Sequence, residues 1–377
     1  MPLDDRVNMI KEIQELRKST VICYLTSLRG NVAGAMADDS VRVVLEHLKK
    51  IDGPPIERLD LFLCSNGGSG TVPWRFVSLF REFAKSFYVL VPYRAYSAAT
   101  LVALGADEIV MHPFAELGPI DPTVSNVFNP VDPQSQQRLG ISVEDVKSYV
   151  SFIKQTVGIR HEDELIEAIK ILAQNVHPLA LGNVERFLSQ TRLIARKLLE
   201  THNERLDPHA IEDIIENMAS KLYFHGHPIS RAEARDELRL KVAEGVPARL
   251  EEVMWRLYLD YEQEFKNAEE FHPEAELASL RLQAQAALAA QPAAAPPTPP
   301  QQAGPPGLAQ MAAAMAAAAA APPVATEHEH THVMVECATL SSRFTSKHRY
   351  ELLAGGPGQR AISDELIALG WSHSSVQ

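Results

Sequence analysis

No stretch of this chain restricts its fold as much as residues 59–122. LDLFLCS (59–65) and FYVLVP (87–92) are strand-like apolar runs, and each leads into a turn of small residues that opens a helix-spaced run. Gly67, Gly68 and Ser69 lie in the first turn, before a predicted helix over 72–85. Ser97, followed by Ala98, Ala99 and Thr100, lies in the second, before a predicted helix over 98–105. An apolar run without polar alternation reads as a strand covered on both faces. VICYLTSL (21–28) and EIVM (108–111) read the same way, and helix-spaced stripes occupy 5–18 and 38–51. Strands alternating with helices predict an α/β fold built on a parallel sheet with crossover helices.

Beyond 122 the order changes to a proline-containing loop and then helical patterns over 142–155, 162–173, 183–200, 208–221 and 250–270. The net charge of −12 over 377 residues argues against nucleic acid as the main partner, because phosphate binding needs a basic surface. Cys23, Cys64 and Cys337 are far apart and form no CxxC. Neither a disulfide framework nor a zinc knuckle is expected, and a reducing compartment fits best. The first twenty residues lack the apolar core of a signal peptide. The most apolar stretch, 88–110, is interrupted by Arg94 and Asp107, so no membrane span is expected. The expected location is cytoplasmic.

Composition shifts to Ala, Pro and Gln near Ala286. Such a segment cannot bury enough apolar surface to fold alone. This gives an expected organisation of a large domain over 1–275, a disordered Ala/Pro-rich linker over 276–332 and a small C-terminal module over 333–377. The linker's prolines favour a semi-rigid spacer. His328, His330 and His332 alternate at its end; they read as a solvated polar tract, with metal ligation as the alternative. The module reads as a strand (VMVECATL), a strand or short helix (KHRYELLAGG) and an amphipathic helix (AISDELIALGW), and is a candidate surface for a protein partner.

The two turns carry the chemistry. A strand-to-helix turn presents backbone N–H groups that lack partners in the helix. An oxyanion formed in acyl transfer needs such donors, about 3 Å from where its charge develops. Gly67 and Gly68 allow close approach and unusual φ values. The N–H groups of Gly68 and Ala98 are the candidate donors, and Ser97 is the candidate nucleophile. No GxxxxGK[ST] occurs, which excludes a P-loop, and no GxSxG elbow occurs either. The plain structural alternative is a tight loop beside a small residue that lets helix and strand pack closely.

SNGGS followed by AYSAATLVALGADEIVMHPFAELGPIDP resembles the serine dehydrogenase proteinase family. That family belongs with signal peptide peptidase A and the proteolytic subunit of Clp protease in a superfamily with a crotonase-like fold. The resemblance continues through VHPLALGNVERFLSQTRLIARKLL and LYFHGHPISRAEARDEL and covers most of 21–240. It implies a Clp/crotonase-like ββα-repeat core with additional helices, a homo-oligomer, and hydrolysis of polypeptide substrates without metal or cofactor.

By the resemblance Ser97 matches the nucleophile, and the turn at Gly67 and Gly68 matches the oxyanion loop. The Clp-type relatives use a Ser-His-Asp triad, but the matching histidine position here is Pro122, and no histidine lies between His112 and His161. The signal-peptide-peptidase relatives use a Ser-Lys dyad, for which Lys147 is the best match. A lysine serves as general base only when neutral, which burial favours. Lys154, Lys197 and His177 are its rivals. Asp121 reads as a turn or cap group, and His225 and His227 as turn residues. Two other functions share parts of this pattern. One is a crotonase-type acyl-CoA enzyme, and the other is a non-catalytic scaffold whose tail recruits partners.

Overall fold

The computed structural model describes residues 3–51, 53, 55–120, 123–124, 126–221, 226–290, 325–352 and 362–376. Its contacts divide the chain into two units. The first holds residues up to Glu269, Thr331–Phe344 and the segment from Trp371; the second holds Glu270–His330 and Thr345–Gly370.

The first unit opens with helix α1 (Leu3–Arg17), strand β1 (Thr20–Thr26), α2 (Asp39–Lys49), β2 (Ile56–Cys64), α3 (Val72–Phe83) and β3 (Ala84–Val91). There follow β4 (Arg94–Ala95), α4 (Ala98–Leu104), β5 (Glu108–Met111), β6 (Glu116–Leu117), β7 (Thr123–Val124) and β8 (Ile141–Ser142). Next are α5 (Val143–Ser151), α6 (Glu162–Asn175), α7 (Pro178–Leu199), α8 (Pro208–Glu216), β9 (Ile229–Ser230), α9 (Arg231–Asp236) and α10 (Ala248–Phe265). Single π-helical stretches continue α5 over Phe152–Thr156 and α8 over Asn217–Lys221. The last elements are α11 (Pro273–Ala290), β10 (Ala325–Glu336), β11 (Leu340–Leu352) and β12 (Ile362–Ser375).

The main sheet has the order β12-β11-β10-β1-β2-β3-β5. β1, β2, β3 and β5 run parallel, as the alternation of strands and helices predicts. The period-two geometry of a strand sends alternate residues to opposite faces. Ile22 and Tyr24 of β1, with Leu59, Leu61 and Leu63 of β2, pack against α2, α3, α4 and α7. Val21, Cys23 and Leu25, with Phe62 and Cys64, pack against α1 and α10. Both faces are covered, which is why these strands read as mainly apolar runs; Asp60 of β2 is the buried exception, accepting from Arg17 and Ser19. Cys23 and Cys64 are plain core residues, and burial pushes the Cys64 thiol up to about 12.

Val333–Glu336 pair antiparallel with β1, in the register Cys23 opposite Glu336 and Thr26 opposite Val333. A buried ionic cluster fixes this edge. Arg6 of α1 bonds Asp260 of α10 and reaches Glu336 of β10 at 3.2 Å. Glu336 also accepts from Tyr261 Oη (2.7 Å) and Ser341 Oγ (2.6 Å). The cluster ties a helix from each end of the first 270 residues to a strand far along the chain.

From Ile362 on, the segment AISDELIALGW, expected to be helical, lies within strand β12, and Ala361 lies outside the described residues. Leu366, Ile367 and Leu369 are exposed, so its apolar spacing marks no core stripe, and ladder pairing decides its conformation. Helix α11 reaches Ala290, inside the span expected as linker, and β10 begins at Ala325; residues 291–324 lie outside the described ones. In the second unit His328 packs on Phe271 and pairs with Glu276. His330 is buried and its Nε2 lies 3.2 Å from Tyr350 Oη. This part of the histidine tract is thus packed structure, because period-two spacing in a strand puts both rings on one face. Among the described residues no helix is long and apolar enough to cross a membrane.

One buried group makes stability depend on pH. His47 on α2 is fully buried, with Nε2 2.9 Å from Ser342 Oγ and Nδ1 without a hydrogen-bond partner among the described residues. Burial, aided by nearby His373, pushes its imidazole down to about 4. The unfolded chain therefore takes up this proton before the folded one does, so the contribution is full above pH 6.5 and is lost as pH falls toward 4. Between pH 7 and pH 5 the loss is about 2 kcal/mol. Urea titrations of the wild type and His47→Gln at the two pH values check this. An equal drop in both proteins would assign the acid sensitivity elsewhere.

Candidate active site

Strand β2 ends at Cys64, and the chain then turns beside the segment following β3. Ser65 N–H donates to Arg94 O, and Tyr96 N–H donates to Ser65 O, both at 2.9 Å. The two turns seen in the sequence are thereby stitched side by side. Ser65 is buried, and its hydroxyl accepts from Thr26 Oγ1 (2.9 Å) and from the Gly67 N–H (3.0 Å). On the other flank Met36 N–H donates to Gly67 O and Ser69 N–H to Met36 O, each at 2.8 Å.

Both glycines are required by geometry. Gly67 has φ +96°, and a Cβ there would lie 2.7 Å from Tyr96 O, 2.9 Å from Ala98 N and 3.0 Å from Ser97 Cβ. Gly68 has φ +153°, and its Cβ would lie 2.3 Å from Met36 O. The first turn thus presses against the backbone of Ser97 and Ala98 as only glycine permits.

Ser97 is the N-cap of α4, with φ 52° and ψ −114°. This backbone conformation is sparsely populated for a residue with a side chain and persists only where its surroundings over-determine it. Every residue of α4 is buried. Thr100 Oγ1 anchors the helix by donating to Ala95 O at 2.7 Å, with Gly118 O at 2.9 Å. Ser97 itself is half-buried. Its hydroxyl makes no hydrogen bond to a side chain among the described residues.

The N–H groups of Gly68 and Ala98 donate no hydrogen bond among the described residues, and Ala98 heads its helix, where donors lack partners. The Gly67 N–H is committed to Ser65, so Gly67 supplies space rather than a donor. A serine in a strained elbow beside two unspent backbone donors has the parts acyl transfer needs.

The candidate bases come from other elements. Lys147 is half-buried on α5, and Lys154 is exposed on the following π-helical stretch. Lys197 is exposed on α7 with its ammonium 5.2 Å from the centre of the Trp74 ring. His177 caps α7, accepting from Leu179 N–H at 3.1 Å, and stacks on Phe128. Structural roles thus account for Lys197 and His177. His227 pairs with Glu233 at 2.8 Å. Asp121, Pro122 and His225 lie outside the described residues. Sequence reasoning missed Thr26, Met36 and Ser65, which shape the turn from three separate segments. Ser65 alone carried a local signal, as the residue closing an apolar strand before the glycines.

A glycine turn set against a serine at the head of a helix, on a parallel sheet with helices over both faces, is consistent with a ClpP-like fold. Residues 2–132 match the family model of the ClpP-like SDH-type serine proteinases. The match takes in both turns and ends before Lys147. The uncharacterized protein MJ0137 of Methanocaldococcus jannaschii is 24% identical over 248 residues, covering 64% of this chain and 74% of that protein. The uncharacterized protein MJ1495 of the same organism is 25% identical over 171 residues, covering 44% of this chain and 58% of that protein. Among solved structures, a mutant of the 1510-N membrane-bound stomatin-specific protease aligns over 36% of this chain and 62% of its own. At 16% identity and a TM-score of 0.25 that likeness carries no argument.

Proposed function

We propose that this chain is a serine peptidase that cleaves polypeptides through an acyl-enzyme on Ser97. The observation that carries this reading is the strained Ser97 at the head of α4, with Gly67 pressed against it and the Gly68 and Ala98 N–H groups unspent. Ser97 Oγ attacks the peptide carbonyl carbon as its proton passes to Lys147, the general base. The carbonyl oxygen becomes the oxyanion and accepts from Gly68 and Ala98. Collapse breaks the C–N bond, and Lys147 returns the proton to the leaving amine. Water, deprotonated by the same amine, then cleaves the ester. The enzyme works as a cytoplasmic homo-oligomer, a restraint suited to a peptidase among other proteins.

A fluorophosphonate probe tests both the nucleophile and the base. The wild type is labelled at Ser97, and Lys147→Ala slows labelling roughly a hundredfold. Lys197→Ala and His177→Ala label at the wild-type rate. Equal labelling of Lys147→Ala and wild type moves the base to another residue. No labelling of Ser97 together with no turnover of unfolded polypeptide refutes the peptidase reading.

A further inference from the structure

The strain at Ser97 needs a restraint on its N-terminal side, and a small second sheet supplies one. β4 pairs in parallel with β6, placing Arg94 opposite Glu116, and β6 pairs antiparallel with β9. Arg94 Nε donates to Glu116 Oε1 at 2.8 Å. Tyr96 Oη donates to that same oxygen, also at 2.8 Å. The Arg94 guanidinium lies 4.9 Å from the centre of the Tyr96 ring and 5.0 Å from that of Tyr93, whose hydroxyl it also bonds at 3.1 Å. Gly118 lies so close to Tyr96 that a Cβ on it would sit 2.7 Å from Tyr96 Cγ.

Tyr96 is therefore held at its hydroxyl by Glu116, along its ring by Arg94 and against Gly118. Its backbone is held too, by the bond from its N–H to Ser65 O and by Ala99 N–H donating to its carbonyl at 2.9 Å. Burial, reinforced by the Glu116 carboxylate, pushes the Tyr96 phenol well above its ordinary range, so it stays a donor at neutral pH. Burial works against the charge of Arg94, but the bond to Glu116 and the attraction of Glu116, Tyr93 and Tyr96 together outweigh it and keep the guanidinium charged. Tyr93 packs against the core, but Arg94, Tyr96 and Glu116 are half-buried and lie outside both hydrophobic clusters. Their convergence on the residue preceding the serine is what calls for a function.

We infer that Glu116 is a positioning residue: through Tyr96 it holds the backbone before Ser97 so that the Ser97 hydroxyl and the Ala98 N–H stay aligned with the Gly68 N–H. The inference rests on the acyl-transfer reading of Ser97, but its mechanical part does not. Three variants separate the two. Tyr96→Phe removes only the hydroxyl, Glu116→Ala removes the acceptor, and Glu116→Gln keeps an acceptor oxygen while losing the charge.

Tyr96→Phe and Glu116→Ala slow fluorophosphonate labelling and kcat by about tenfold or more, with KM within about twofold, because alignment rather than substrate binding is lost. Glu116→Gln recovers most of the rate. Amide hydrogen exchange, followed by mass spectrometry on peptides covering 95–104, rises about tenfold in the first two variants while peptides from β1 and β2 are unchanged. Wild-type labelling and wild-type exchange over 95–104 in folded Glu116→Ala or Tyr96→Phe overturn the inference. If Glu116→Ala does not fold, Tyr96→Phe decides the matter. If even the wild type resists the probe, the peptidase reading fails, and exchange alone decides whether the clamp exists.

Discussion

Ser97→Ala abolishes peptide cleavage and fluorophosphonate labelling while the protein folds and unfolds as the wild type does. Among the described residues the side chain makes no hydrogen bond to another side chain, so its loss removes no such bond there. Chemistry is affected far more, because the acyl-enzyme bond has nowhere to form. A fall in kcat of at least about 10⁴-fold follows, with the residue of activity left to the backbone donors. A second substitution sharpens the reading. At φ 52° and ψ −114° alanine keeps the strain of serine, whereas glycine relieves it. Ser97→Gly is therefore as inactive as Ser97→Ala but more stable by about 1 kcal/mol in urea, less the entropy that glycine adds to the unfolded chain. Activity lost with stability gained is the mark of strain kept for chemistry. An alanine variant retaining turnover within about tenfold of the wild type would remove Ser97 from the mechanism.

The parallel core and the pairing of the two turns were legible because local pattern and tertiary role agree there. LDLFLCS carries apolar residues toward both faces since both are covered, with Asp60 the buried exception held by Arg17 and Ser19, and the small residues after it fit only a turn of close approach. Ser97 and Gly67 are thirty residues apart, yet adjacent parallel strands ending at one level bring their turns together. Legibility fails where partners are remote or pattern misleads. Arg6 reads as one more charge on a helix, and nothing local shows that Glu336 is its buried partner. The 3.6-like spacing of Leu366 and Leu369 suggested a helix that strand pairing overrides. Glu116 and Arg94 look like ordinary surface charges until β4 and β6 are seen to lie in register. The base has no local signature, because a lysine's role depends on burial and neighbours contributed by other elements.

Gly68→Ala removes activity by a different route and tests the oxyanion donors directly. The new Cβ would stand 2.3 Å from Met36 O and 2.6 Å from Met36 N. Backbone cannot yield as the end of a side chain can. Met36 is fixed from both sides, its N–H on Gly67 O and its carbonyl on Ser69 N–H. The turn itself must move, and the Gly68 N–H leaves its place beside Ala98. Loss of one oxyanion donor costs 10²–10³ in kcat, and displacement of the turn bearing on the Ser97 backbone brings the expected loss to roughly 10³ or more. Stability falls as well, since φ +153° is a region that alanine rarely enters. Gly70→Ala is the control: nothing lies within 4 Å of a Cβ at that position, so its stability stays within about 0.5 kcal/mol of the wild type. The decisive comparison is the labelling rate of Ser97 in the two variants, each shown by urea titration to be folded. Wild-type labelling in Gly68→Ala would mean that the Gly68 N–H does not meet the oxyanion. Slow labelling there, with Gly70→Ala unaffected, locates the second donor in the first turn and leaves Gly67 the separate task of letting that turn reach the serine.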